Sequence, residues 1–155
     1  SKGYADLVLK NENFTGKKKD CYGAKLEVIA GFLKQEIAKD KYDIISIMGG
    51  GNSATERYPP YDLYDQMYDM AKEHGAVVVA ITNPTKKNME PTRRKEYPTN
   101  EELAKYVRRH PVPDIIIDAN FRSDMAHINH KAQKNLYNEW IEKISDYLAL
   151  QKKWV

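Results

Sequence analysis

The segment Asn120-Phe121-Arg122-Ser123-Asp124-Met125-Ala126-His127-Ile128-Asn129-His130 holds two of the four histidines in the chain. Asp124 stands three residues before His127, just ahead of an amphipathic run. At a loop-to-helix turn, a carboxylate so placed can accept the imidazole Nδ1–H, fix the tautomer and leave Nε2 free as a base. A helix start also disfavours the imidazolium, which suits a group that must take up a proton. Spacing alone favours a plainer reading, with Asp124 as a cap and His127 on the first-turn surface. Asp124, His127 and His130 also count to three, the usual minimum for a catalytic zinc, but the spacing makes a thin ligand set. No metal and no cofactor is expected.

Two other stretches could serve such a base. Met48-Gly49-Gly50-Gly51-Asn52-Ser53-Ala54 offers backbone N–H groups and the side-chain amide of Asn52. Donors of this kind stabilise an oxyanion by roughly 3–4 kcal/mol each. No lysine or threonine follows as in a phosphate-binding loop, so a phosphate cradle is the weaker idea. In Asn11-Glu12-Asn13-Phe14-Thr15-Gly16-Lys17-Lys18-Lys19, Gly16 is placed at a helix start, where unpaired N–H groups point outward. Ordinary turns and caps explain both stretches equally well from spacing.

These residues need a frame. "ADLVL" (5–9) reads as a short buried strand, and Tyr22, Leu26, Ile29, Ala30, Leu33 and Ile37 recur at helical spacing over 18–40. "DIISIM" (43–48), "AVVVAI" (76–81) and "DIIIDA" (114–119) are apolar runs of the kind covered on both faces in a parallel sheet. Between them lie a helix marked by Leu63, Met67, Met70 and Ala71, and a helix to about Arg109 opened by the capping box Thr99-Asn100-Glu101-Glu102. A helix over 127–149 closes the chain. Alternating strands and helices predict a three-layer α/β/α fold around a flavodoxin-like parallel sheet. Ligands of such sheets bind beyond the carboxyl ends of the strands. That rule selects the loops 10–17, 49–60, 82–98 and 119–127.

Composition sets the bounds. The chain's 155 residues, 41% apolar and 30% charged, suit one domain, 1–155, with a single core. There is no apolar run near the ~20 residues of a membrane span and no basic-then-apolar leader. Cys21 is the only cysteine, which forbids an internal disulfide and leaves the compartment open. A net charge of +3 does not ask for nucleic acid. The basic clusters Lys17-Lys18-Lys19, Lys86-Lys87, Arg93-Arg94-Lys95 and Arg108-Arg109-His110 read first as solvated surface, and more sharply as a rim attracting an anionic substrate.

In order, three of these segments resemble the SGNH hydrolases, also called GDSL esterases and lipases. "NFTGK" (13–17) resembles the family's second block, "YDIISIMGGGNSA" (42–54) its third, and "SDMAHINHKAQKNLYNEWI" (123–141) its fifth, D-x-x-H followed by an asparagine two residues on and the last helix. The resemblance covers nearly the whole chain. It implies Gly16 and Asn52 as oxyanion donors, His127 as general base, Asp124 as its orienter and Asn129 as a loop residue. It gives no role to His130. Ser53 replaces the aspartate that usually follows the third-block asparagine.

The first block, a strand ending in G-D-S, is absent from this sequence. In the family fold that strand lies between the strands matching 5–9 and 43–48. Its loss would leave a slot lined by N–H and C=O groups, each costing about 1–3 kcal/mol if buried unpaired. Either the neighbours close up, or another polypeptide segment supplies the strand and the serine; the second is the expectation, with this chain as the later part of a longer enzyme. Ser53 and Cys21 are weaker substitutes for the nucleophile. The function implied is a serine ester hydrolase acting on a small-molecule or carbohydrate ester, such as an O-acetylated sugar. The alternative is an SGNH-like binding or structural domain that has lost catalysis.

Overall fold

The computed structural model describes residues 3–19, 25–50, 60–83, 98–119 and 130–153. Its elements are α1 (Tyr4–Lys10), α2 (Leu26–Lys39), β1 (Ile44–Met48), α3 (Tyr61–Glu73), β2 (Val77–Ile81), α4 (Asn100–Arg108), β3 (Ile115–Ile117) and α5 (His130–Lys153).

The three strands form one parallel sheet in the order β1-β2-β3. β-branched side chains fill it because both faces are covered: Val78 and Val79 are fully buried, as is Ile117. Each such side chain withdrawn from water contributes roughly 1.5–3 kcal/mol. On one face Ile45, Ile47, Val78 and Ala80 pack with Leu26 and Ala30 of α2, Leu63, Tyr64 and Met67 of α3, and Leu103 and Val107 of α4. On the other, Val79, Ile81, Ile115 and Ile117 meet Leu136, Trp140 and Ile144 of α5 and Val8 of α1. The described residues are therefore a helix–sheet–helix sandwich, as the alternation of segments predicts. Thr99 caps α4 as its sequence requires, its hydroxyl accepting the Glu102 N–H at 3.1 Å.

One element is of the other type. Residues 4–10, expected as the strand "ADLVL", form a helix. Short apolar runs are ambiguous by periodicity, and the local chemistry decides here. Asp6, in the first turn, accepts the Gly3 N–H at 3.1 Å, and Lys10 occupies the last turn. Tyr4 and Val8, four apart, both pack into the α5-side core. The helix α2 also begins later than its apolar spacing suggests, at Leu26, with Phe14–Lys19 non-helical.

This bears on the slot that the resemblance implies beside 43–48. No second strand faces β1 among the described residues, so there is no slot walled by two strands; β1 is an edge. The Val77 N–H donates to the Asp43 carbonyl at 2.8 Å, and Ile44 is level with Val77. In a parallel ladder this turns the backbone groups of Ile45 and Ile47 toward β2, and those of Ile44, Ser46 and Met48 outward.

Candidate functional site at the carboxyl edge of the sheet

The carboxyl ends of the three strands share one edge of the sheet. β1 is followed by Gly49-Gly50, and the backbone at Gly50 requires glycine. Tyr64 of α3 donates its hydroxyl to the Gly49 carbonyl at 2.8 Å. Gly50 has φ +100°, and a Cβ there would stand 2.0 Å from the Tyr64 hydroxyl oxygen. A Cβ at Gly49 would stand 2.6 Å from Ile29 Cδ1.

The ends of β2 and β3 are tied together by Thr82. Its hydroxyl, fully buried, donates to Asp118 Oδ1 at 2.8 Å and accepts the Ala119 N–H at 2.7 Å. The Thr82 N–H donates to the Ile117 carbonyl at 3.0 Å. Arg108 of α4 donates to Asp118 Oδ2 at 3.1 Å and also pairs with Glu101. The edge is thus a braced rim at the carboxyl ends of the three strands.

α5 returns to that rim. Trp140 Nε1 donates to Ser46 Oγ at 3.0 Å, which fixes the helix over the middle of β1. The ten residues from Trp140 back to His130 span about 15 Å. The four from Ser46 to Gly50 span about 13 Å. His130, exposed, therefore stands near the height of the β1 carboxyl end.

The expected site residues divide accordingly. Asn52 and Ser53, and Asp124, His127 and Asn129, lie outside the described residues, as does Cys21. The described residues that flank them in sequence are Gly50 and Pro60 for the first pair, and Ala119 and His130 for Asp124, His127 and Asn129. Gly16 is among the described residues. It is exposed beside Leu9, and the next residue, Lys17, reaches Asp40 Oδ2 at 2.9 Å and Glu36 Oε2 at 3.6 Å, on the approach to β1.

Sequence reading passed over a second cluster. A groove of ≈ 640 Å³ runs along α3 and α4 and is lined by Tyr61, Asp65, Tyr106, Arg109, His110 and Val112, among others. His110 Nε2 lies 2.7 Å from Asp65 Oδ1, which also accepts the Tyr106 hydroxyl at 2.6 Å. The Val112 N–H donates to His110 Nδ1 at 3.2 Å, so Nε2 carries the proton and donates to Asp65. Both ring nitrogens are committed, and the imidazole is a structural link between helices. The i-to-i+2 return of Val112 onto His110, between Pro111 and Pro113, is the signal that could have marked it.

No family model, no curated protein and no solved structure matches this chain.

Proposed function

We propose that this chain carries the oxyanion and base loops of an SGNH-type serine ester hydrolase whose nucleophilic serine comes from another polypeptide segment. The observation that supports the reading is the common carboxyl edge: in sequence, residues 51–59 follow the end of β1 and residues 120–129 follow the end of β3, and α5 starts near the height of that edge. In this reading the serine Oγ attacks the ester carbonyl while His127 Nε2 takes its proton. Asp124 holds the ring through Nδ1–H, and the Asn52 amide donates to the oxygen that gains charge. His127 then protonates the departing alcohol, and a water deprotonated by the same ring releases the acyl group. The charged stretch 84–97 favours a polar acylated substrate, such as an O-acetylated carbohydrate, over a long lipid.

A second reading, an SGNH-like domain without catalysis, draws on the absence of G-D-S from the sequence. Fluorophosphonate labelling separates the two, with intact masses of every polypeptide in the sample purified from its source. The proposal expects label on a serine outside this chain and hydrolysis of p-nitrophenyl acetate that falls at least 100-fold in His127→Ala. Folded, unlabelled and inactive material would support the second reading. Label on Ser53 would refute the idea that the nucleophile lies elsewhere.

A further inference from the structure

Between its two helix layers, the free side of β1 has the form of a strand-binding groove. Ile44, Ser46 and Met48 turn their N–H and C=O groups outward, and among the described residues no backbone group pairs with them. α1 flanks β1 on the α5 side, where the Tyr4 hydroxyl donates to Ser46 Oγ at 3.3 Å. α2 flanks it on the α3 side, where Leu26 and Ile29 approach Gly49. The segment joining these helices reaches both layers with consecutive lysines: Lys18 pairs with Asp6 of α1 at 2.7 Å, and Lys17 with Asp40 beyond α2 at 2.9 Å. Thr15–Lys19 are nonetheless exposed and make no backbone pair with β1.

We infer that this edge binds one extended polypeptide segment, added parallel to β1, apolar on both faces and acidic at its amino end. The chemistry follows from the groove. A strand beside β1 has side chains toward α1 on one face and α2 on the other, so both faces are covered and a continuous apolar run fits. Parallel addition continues the direction of both existing pairs. Its amino end then lies beside Lys17-Lys18-Lys19; Lys19 is exposed, its ammonium 4.9 Å from the Phe32 ring centroid. Helices on both sides of the edge admit a single strand and obstruct the close approach of a second whole domain, which argues against pairing between two copies of β1. The strand's carboxyl end emerges beside the root of the Asn52 loop. That this end carries the serine rests on the proposed function; that the edge takes a strand does not.

The probe is the peptide acetyl-Glu-Glu-Val-Ile-Val-Ile-Gly-amide, titrated against the full chain with amide exchange read residue by residue. Expected is saturable binding in which Ile44, Ser46 and Met48 gain protection, while Ile45 and Ile47 are protected beforehand. Two further probes carry proline at the fourth or at the fifth residue of the peptide; the one whose replaced N–H faces β1 lacks a ladder donor and should bind at least tenfold more weakly. Lys19→Glu should weaken the acidic probe and strengthen one that starts with two lysines. Binding that ignores proline at both positions, protection confined to other elements, or no binding would overturn the inference. So would protection of 44, 46 and 48 in a dimer of the chain without peptide. Peptide binding without ester hydrolysis by the native material would remove the hydrolase reading and leave this one standing; hydrolysis without binding would do the reverse.

Discussion

The Tyr64 hydroxyl and the Gly49 carbonyl, 2.8 Å apart, lock the first turn of α3 to the last residues of β1. The bond sets where the loop bearing Asn52 leaves the sheet, and Gly50 passes beneath the same hydroxyl with φ +100°. Gly50→Ala should therefore cost about 2 kcal/mol or more, because it adds a left-handed alanine to a clash at 2.0 Å. Tyr64→Phe removes the clashing oxygen. Chemical denaturation of both single variants and the double variant should give less than additive losses, and strict additivity would refute the contact.

Thr82 is the clasp between the ends of β2 and β3, so its hydroxyl matters beyond its volume. Thr82→Val keeps the shape and leaves the Ala119 N–H without its 2.7 Å acceptor. A loss of about 1–3 kcal/mol is expected in denaturant unfolding. Amide exchange at Ala119 should rise at the same time, whereas unchanged exchange there would contradict the assignment.

At the opposite edge, Asp114 contributes to the acid limb of stability. Burial pushes its carboxyl up, but the Lys72 ammonium, the Val78 N–H at 2.8 Å and the Tyr147 hydroxyl at 3.2 Å outweigh that and hold it below the usual carboxylate range. A carboxyl depressed in the folded state contributes stability that is present above its unfolded pKa of about 4 and is lost as pH falls through the lower folded value. Asp114→Asn should be less stable at neutral pH by about 1–3 kcal/mol and show a flatter decline below about pH 4. Parallel acid limbs for the two proteins would contradict this.

The Asp65 carboxylate joins α3 to α4 through Tyr106 and His110. Burial first, then the hydrogen bond to Asp65, pushes the Tyr106 phenol up to about 12. Asp65→Asn should bring that titration down while the fold persists. Ultraviolet titration, with Tyr106→Phe identifying the signal among eleven tyrosines, reads the shift. An unmoved Tyr106 would mean that the carboxylate does not act on it.

Strands 44–48, 77–81 and 115–117 were legible because a run such as "VVVAI" has no other favourable place than a covered sheet. Thr99 with Glu102 announced α4, and the long periodic run announced α5. The first helix was not legible as one: five apolar-rich residues fit a strand as well, and the Asp6 bond to Gly3 that decides the matter is local hydrogen bonding that periodicity ignores. The His110–Asp65 link was hidden because its partners are forty-five residues apart in sequence. The carboxyl ends of β1 and β3, which Asn52 and His127 follow in sequence, were legible from the order of the strands.

The most direct test is the separation of positions 52 and 127. In a Cys21→Ser background, Asn52→Cys and His127→Cys are treated with a bis-maleimide spanning about 10 Å, twice the spacing of neighbouring strands. Efficient intramolecular crosslinking of the folded monomer, absent from either single-cysteine variant, is the predicted result. A folded monomer that takes up the reagent at both cysteines without joining them would contradict the proposal that one ester carbonyl is served by both loops.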